Sequence, residues 1–398
     1  MTLMQTPMFF VTLAGCLFIA VYALLIAYYR KAWKAIPGYP SPVQTHPPVR
    51  ISVLIPARNE EMNIGACLDS LARQTYPCGS FEVIVIDDHS TDATAALVKG
   101  FAATESARRL APVCLGLAGV EGAQTVRAHK KFAIETGIAA ATGELIVTTD
   151  ADCIFHPQWL STLAAYYIEK GAKFIAAPVR IGDSRWKMDG SFLYIFQTLD
   201  FITLQGITGA SVHKKFHSMC NGANLAYEKK AFYEVGGFKD IDSIPSGDDL
   251  LLMHKIYKKY PEQVFFLKSR QAIVSTRPET DWKGFINQRV RWASKAGSYD
   301  DRRIFRVLLL VYLVNVFFAG LAVAGCWNSW WWLLGLLLLL VKTVVEYPFV
   351  RVVAGFFGQQ HLLVYFPVLQ PFHILYTIVI GWLGQFGHYR WKDRKISK

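Results

Sequence analysis

The 398-residue chain lacks the marks of several protein classes. Its seven cysteines show no paired spacing and no CxxC, so neither a disulfide framework nor a cysteine zinc site is expected. Thiols used singly, with Cys16 and Cys326 inside apolar runs, fit a reducing compartment. There is no GxxxxGK[ST] loop, so nothing supports an ATP-driven pump. No basic residue precedes the first apolar run and no small-residue cleavage site follows it, which argues against a cleaved signal peptide. Charge is missing from residues 8–29, 307–341 and 352–389, which contain no Asp, Glu, Lys or Arg. Runs of that length belong in a bilayer.

The apolar residues, 53% of the chain, concentrate in the first thirty positions and the last hundred. That distribution implies a membrane protein with a soluble insert. Arg30, Lys31 and Lys34 follow the first span, so the insert is expected on the cytoplasmic side of the cell inner membrane. The net charge of +12 sits largely beside apolar spans, which suits anionic lipid headgroups better than nucleic acid. Residues 307–341 are too many for one span and predict two helices turning near 326–329. Lys342 and Glu346 follow at i,i+4 spacing and can pair. Residues 352–389 contain Pro367 and Pro371, and the tail 390–398 is basic. Were all three later segments to cross, that tail would lie outside, against the charge rule. The arrangement expected here keeps the tail inside and makes the proline-bearing segment re-entrant or interfacial. The domains are expected at 1–35 (span), 36–49 (proline-rich linker), 50–303 (cytoplasmic catalytic domain), 304–389 (membrane helices) and 390–398 (tail).

Within the insert, 51–55, 81–86, 113–117 and 145–149 read as strands. Residues 174–179 could be another. Helical patterns alternate with them, notably at 64–71, 132–141 and 250–259, and Gly143 stops the second of these. The alternation predicts an α/β fold with a mostly parallel sheet, whose ligands bind beyond the carboxyl ends of its strands. Asp87-Asp88 and Asp150-Ala151-Asp152 both fall there. Residues 192–208 form an apolar, aromatic helix, either buried in a core or lying on a membrane.

Carboxylates at the end of a buried strand are costly unless compensated. A hard divalent cation carrying a diphosphate would compensate Asp150 and Asp152, and Mg²⁺ or Mn²⁺ is bound in that way. An acidic turn is the alternative. Asp87 and Asp88 can accept hydrogen bonds from a base N–H and ribose hydroxyls, or they can form a strand-end turn with Ser90 or Thr91 capping the next helix. Asp248 and Asp249 precede an apolar run, so they can serve as helix caps as well as in acid–base chemistry. Arg291 can grip phosphate oxygens, or its helix can lie basic against lipid headgroups, the role expected for Arg289 on another face.

Six stretches, SVLIPARNEE, VIDDHSTDAT, TTDADC, CNGANLAY, GDDLLLMHK and QRVRW, occur in this order between residues 52 and 292. In them the chain resembles membrane-anchored members of glycosyltransferase family 2. The QRVRW ending is similar to that of cellulose, hyaluronan and poly-N-acetylglucosamine synthases and of ceramide glucosyltransferase-like enzymes. The resemblance implies a GT-A fold inserted between transmembrane helices. It places Asp88 at the base, Lys130 near the donor (with Lys131 a competing choice), Asp150 and Asp152 on the metal, and Asp152 as the direct ligand. Asp249 becomes the general base, with Asp248 before it where the family usually has Glu. Gln288, Arg291 and Trp292 close the nucleotide pocket, with Trp292 also facing the acceptor. Gly222 and Asn224 approach the acceptor. Trp391-Lys392-Asp393-Arg394 is similar to the basic-aromatic ending of lipid-directed relatives, or is a solvated charge run.

The function expected is an inverting, metal-dependent transfer from a UDP-sugar to a lipid or lipid-linked acceptor, with no nucleic-acid partner. A processive polysaccharide synthase is the alternative within the class. A non-catalytic nucleotide-binding scaffold or transporter is the alternative outside it.

Overall fold

The computed structural model describes residues 2–40, 48–104, 110, 112–118, 120, 128–182, 190–216, 219–244, 247–295, 301–386, 389–391 and 394–396. Lys392 and Asp393, and residues 41–47 of the proline-rich linker, lie outside them. The first half of the chain runs α1 (Thr2–Ala35), β1 (Ile51–Ala57), α2 (Ile64–Ala72), β2 (Phe81–Asp87), α3 (Thr94–Ala102), β3 (Val113–Gly116), α4 (His129–Ala140), β4 (Leu145–Thr148), β5 (Ile154–Phe155), α5 (Trp159–Lys170), β6 (Phe174–Ala176) and β7 (Val179–Ile181). The second half runs α6 (Phe192–Lys214), β8 (Leu225–Glu228), α7 (Lys229–Glu234), α8 (Leu250–Lys259), β9 (Val264–Phe266), β10 (Val274–Thr276), α9 (Trp282–Ala293), α10 (Arg302–Ala324), α11 (Ser329–Phe357), α12 (Phe366–Phe386), β11 (Tyr389–Trp391) and β12 (Arg394–Ile396). Two compact units result: one of 36–188 with 211–278, the other of Met1–Ala35, Asp189–Ala210 and Glu279–Lys398.

The first unit is built on a seven-stranded sheet ordered β3-β2-β1-β4-β8-β6-β9. Strands β1 to β4 are parallel, as the strand–helix alternation requires, and β8 is antiparallel to both its neighbours. Four side chains of β1, Ile51, Val53, Leu54 and Ile55, are fully buried, and each stabilises the fold by about 1.5–3 kcal/mol. The strand does not stop at Pro56. Pairing with β4 ends at Leu54, so Pro56 has only β2 as a ladder partner and its missing N–H leaves no gap on the other side. The run expected over 174–179 divides at Pro178. Its halves join different sheets, since β7 pairs with β10 in a three-stranded sheet completed by β5.

One carboxylate fixes the base of this sheet. Glu82 Oε1 accepts from Ser52 Oγ at 2.6 Å and from the N–H and hydroxyl of Thr142 at 2.6 and 2.7 Å. Gly143 N–H donates to the same Ser52 hydroxyl at 2.8 Å. The end of the α4–β4 connection is thereby tied to β1 and β2.

The second unit is helical. Four stretches, Met8–Ala35, Arg302–Ala324, Ser329–Phe357 and Gln360–Phe386, are long and apolar enough to cross a membrane by length and composition. The turn expected near 326–329 is present, and Asn328 caps α11 by accepting from Trp330 N–H at 3.0 Å. Pro371 lies inside α12 without ending it, and Pro367 occupies its first turn, where a proline is tolerated. Within this unit α6 is a core helix. A Cβ at Gly206 would come within 2.5 Å of Val353 on α11, so only glycine lets the two helices approach this closely. Lys342 and Glu346 are paired at 2.8 Å and buried. Lys342 Nζ donates to Gln370 Oε1 at 2.6 Å, Gln370 Nε2 donates to Glu346 Oε2 at 2.7 Å, and Tyr22 OH donates to Glu346 Oε1.

Candidate active site

Two turns beyond the strand ends are stitched into one surface. Asn59, at φ +51°, accepts Thr91 N–H on its side chain at 2.9 Å, and its own N–H donates to Ser90 Oγ at 3.0 Å. Arg58 Nη1 donates to the carbonyls of Asp88 and His89 at 2.7 and 3.1 Å. The motifs SVLIPARNEE and VIDDHSTDAT therefore act as one structure. The expectation that Ser90 or Thr91 caps the following helix is not met, because both are engaged with Asn59. The residue at the N-cap is Ala93, which has no polar side chain to cap with, and Asp92 just before it accepts Thr94 N–H at 3.0 Å.

Asp87 Oδ1 accepts Ser90 N–H at 3.3 Å. Asp88 is buried, with His89 Nδ1 3.0 Å and His129 Nδ1 4.0 Å from its Oδ1. Neither histidine is singled out by its sequence context. His89 stands in the left-handed region at φ +58°, and His129 comes from the start of α4, about forty positions away.

The next two residues of α4, both lysines, have different partners. Lys130 Nζ donates to Asp150 Oδ1 at 2.7 Å and lies 3.4 Å from Asp248 Oδ2. Burial opposes its charge, but the carboxylates of Asp150 and Asp248, with Asp249 beyond them, outweigh burial and hold its pKa above the ordinary lysine value. Lys131 is buried and donates to the carbonyls of Ile241 and Ile244 at 2.5 and 2.8 Å, which pins the segment leading to the acidic pair. Asp249 caps α8, accepting Leu250 N–H at 2.7 Å on one oxygen and Gly222 N–H at 3.1 Å on the other. A Cβ at Gly222 would stand 3.3 Å from both Asp248 Oδ2 and Lys130 Nζ, so glycine keeps this cluster closed. Thr149 hydroxyl donates to Ala223 carbonyl at 2.8 Å and joins the end of β4 to the same loop.

Asp152 Oδ2 accepts the hydroxyl of Thr276 at 3.0 Å. Thr276 ends a three-residue strand, too short for periodicity to reveal. Among the described residues no three His, Cys, Asp or Glu side chains group to hold a metal. Asp150 and Asp152 are the two carboxylates that could hold a hard cation, provided substrate phosphates and water filled its other positions. Asp150, 38% exposed at its side chain, has room for such partners.

The expectation for Asn224 is corrected. It is fully buried and its amide is spent inside the core: Oδ1 accepts Trp159 Nε1–H at 3.0 Å, and Nδ2 donates to the carbonyls of Pro178 and Ala272, each at 2.8 Å. Enclosed by these partners, its side chain has no exposed surface to offer an acceptor. The packing side chain of the CNGANLAY stretch is Asn224, and Gly222 is the residue at the cluster.

In the helical unit, α9 carries Gln288, Arg291 and Trp292. Gln288 Nε2 donates to Glu279 Oε1 at 2.8 Å. Arg291 is partly exposed and has no ion-pair partner among the described residues. Arg289, expected against lipid headgroups, is instead 2% exposed and lies 3.0 Å from Asp200 of α6.

Residues 52–236 match the family described as glycosyl transferase family 2, and residues 145–383 match glycosyl transferase family group 2. The probable glycosyltransferase YdaM of Bacillus subtilis is 26% identical over 251 residues, 61% of this chain and 54% of that protein. The beta-monoglucosyldiacylglycerol synthase of Nostoc sp. is 33% identical over 106 residues, 26% of this chain and 20% of that protein. The chain thus spans about half the length, or less, of these curated relatives. A solved mannosyltransferase of Pyrobaculum calidifontis, PcManGT in complex with GDP-Man and Mn²⁺, superposes with a TM-score of 0.60 at 20% identity, over 90% of this chain and 97% of that one. The likeness shows the fold. With a family model matched over more than half its length, the chain belongs to glycosyl transferase family 2 and has the GT-A fold.

Proposed function

We propose that the chain transfers a single sugar from a UDP-sugar to a lipid or lipid-linked acceptor, with inversion, at the cytoplasmic face of a membrane. The observation that carries this reading is the convergence of Lys130, Asp150, Asp248, Asp249 and the Gly222 N–H beyond the strand ends. Asp87 and Asp88 are assigned to ribose and base, and Lys130 to the donor diphosphate. Asp249 takes the acceptor hydroxyl's proton as that oxygen attacks the anomeric carbon and the diphosphate departs. One displacement with no enzyme-bound sugar inverts the anomeric centre. Asp150 and Asp152 would hold Mg²⁺ or Mn²⁺, which when bound supplies Lewis-acid stabilisation of the leaving diphosphate. Arg291, partly exposed and without an ion-pair partner among the described residues, is assigned to phosphate oxygens and Trp292 to the acceptor.

The lipid acceptor is supported by the four apolar helices, and a relative named for a diacylglycerol lipid fits it. The cytoplasmic side follows from Arg30, Lys31 and Lys34 after the first span. The test incubates the purified full chain and divalent metal with a panel of UDP-sugars and a lipid extract, read by mass. One hexose-sized addition to a lipid, lost on chelation, is the expected product. A ladder of additions would replace this reading with polymer synthesis, and transfer undiminished by chelation would remove the metal.

A further inference from the structure

Arg289 presents a geometry that a structural ion pair does not require. The guanidinium is 2% exposed and its Nη2 lies 3.0 Å from Asp200 Oδ2. None of its three nitrogens makes a hydrogen bond of acceptable direction. An arginine used for charge pairing alone turns its fork onto the carboxylate, forming two parallel bonds. Here the fork makes no directed bond to Asp200, although Nη2 is close to it, and the guanidinium carbon sits over aromatic rings, 4.3 Å from the centroid of Trp292 and 4.9 Å from that of Phe285. Phe285, Arg289 and Trp292 follow at i, i+4 and i+7, so α9 stacks them along one face. Phe201 of α6 flanks the group, 6.0 Å from the ring of Trp292 and 6.0 Å from the guanidinium.

We infer that Arg289 and Asp200 are positioning residues for Trp292. Asp200 supplies the counter-charge that lets a guanidinium be buried. The guanidinium gives up directed hydrogen bonds to lie over the indole. One ring face is thereby committed to the protein, and the partly exposed remainder is presented as a fixed aromatic surface. The functional side of this inference rests on the assignment of Trp292 to the acceptor. The positional side does not.

The experiment labels the full chain in detergent with 5-fluorotryptophan and identifies the Trp292 fluorine signal by its loss in Trp292→Phe. Arg289→Lys keeps the charge beside Asp200 but has no planar face. It is expected to shift and broaden the Trp292 signal while the other tryptophan signals hold, which also reports an intact fold. Asp200→Glu, which moves the carboxylate by one methylene, is expected to disturb the same signal. A Trp292 signal unmoved in both variants overturns the inference. In turnover assays Arg289→Lys should raise the acceptor KM about tenfold, the scale of a lost desolvated cation–π contact, with kcat little changed. If Trp292→Ala leaves the acceptor KM unchanged, the assignment of Trp292 to the acceptor fails, and the fluorine spectrum still decides whether Arg289 positions it.

Discussion

Asp249 has two employments, and a single substitution separates them. One oxygen caps α8 and the other receives the Gly222 N–H. Asparagine keeps one acceptor oxygen for these two N–H groups, turns its NH2 toward the other, and cannot take a proton at neutral pH. Asp249→Asn should therefore melt somewhat below the parent but still fold and bind donor, while transfer falls by about two to four orders of magnitude. Transfer at the parental rate would remove Asp249 from the mechanism. At this scale the sequence was legible wherever a charged side chain sat at a strand end, and Lys130 with its aspartates is the clearest case. It misled where a polar side chain was buried. Nothing in CNGANLAY says that the Asn224 amide is consumed by Trp159, Pro178 and Ala272, because those partners lie far away in the chain. Arg289 is the same case with a charge, since its counter-ion sits on α6.

Strands and helices were legible in proportion to their length. The buried parallel strands β1, β2 and β4 and the helix α8 follow the apolar pattern closely. Strands β5, β9 and β10 have only two or three residues and leave no periodicity to read. Glu82 shows how one side chain joins elements that pattern alone cannot. Burial raises its pKa, but the hydrogen bonds from Ser52 and Thr142, with Arg50 nearby, outweigh that and leave the carboxyl below its ordinary value. A lowered carboxyl contributes stability above its unfolded pKa, and that contribution fades as pH falls through the folded value. Glu82→Gln should consequently melt below the parent at pH 7. The gap should narrow as the pH is lowered below about 4, the ordinary glutamate range. A gap that stays constant from pH 7 to pH 3 would show that the Glu82 charge is not what holds the connection.

Across the whole molecule, the absence of charge over long runs was the most dependable signal: each apolar helix overlaps such a run, although α11 continues past Lys342, Glu346 and Arg351 to Phe357. What the hydropathy could not convey is that α12 continues through Pro371. Nor could it show that Asp189–Ala210 and the stretch from Glu279 onward group with the apolar helices into one compact unit. The cytoplasmic placement of the tail remains a proposal, and protease accessibility of a C-terminal tag in sealed vesicles tests it: protection from outside is the expected result. The Lys342–Glu346 node has a sharper test. Removing one charge strands the other in an apolar bundle, so Lys342→Met should destabilise the protein by about 3–5 kcal/mol. Lys342→Met with Glu346→Met should recover much of that. A single variant as stable as the parent would show that water or lipid headgroups reach the node.

That node also imposes an order on how the protein is made. Tyr22 leaves the ribosome long before Lys342 and Glu346, and Gln370 follows them with α12. The lysine and glutamate, one helical turn apart, can shelter each other as soon as their own helix forms. Glutamine closes the circuit only once α12 is in place. A nascent chain halted before that point holds the lysine and glutamate in an apolar bundle without their last hydrogen-bonding companion, which costs it stability.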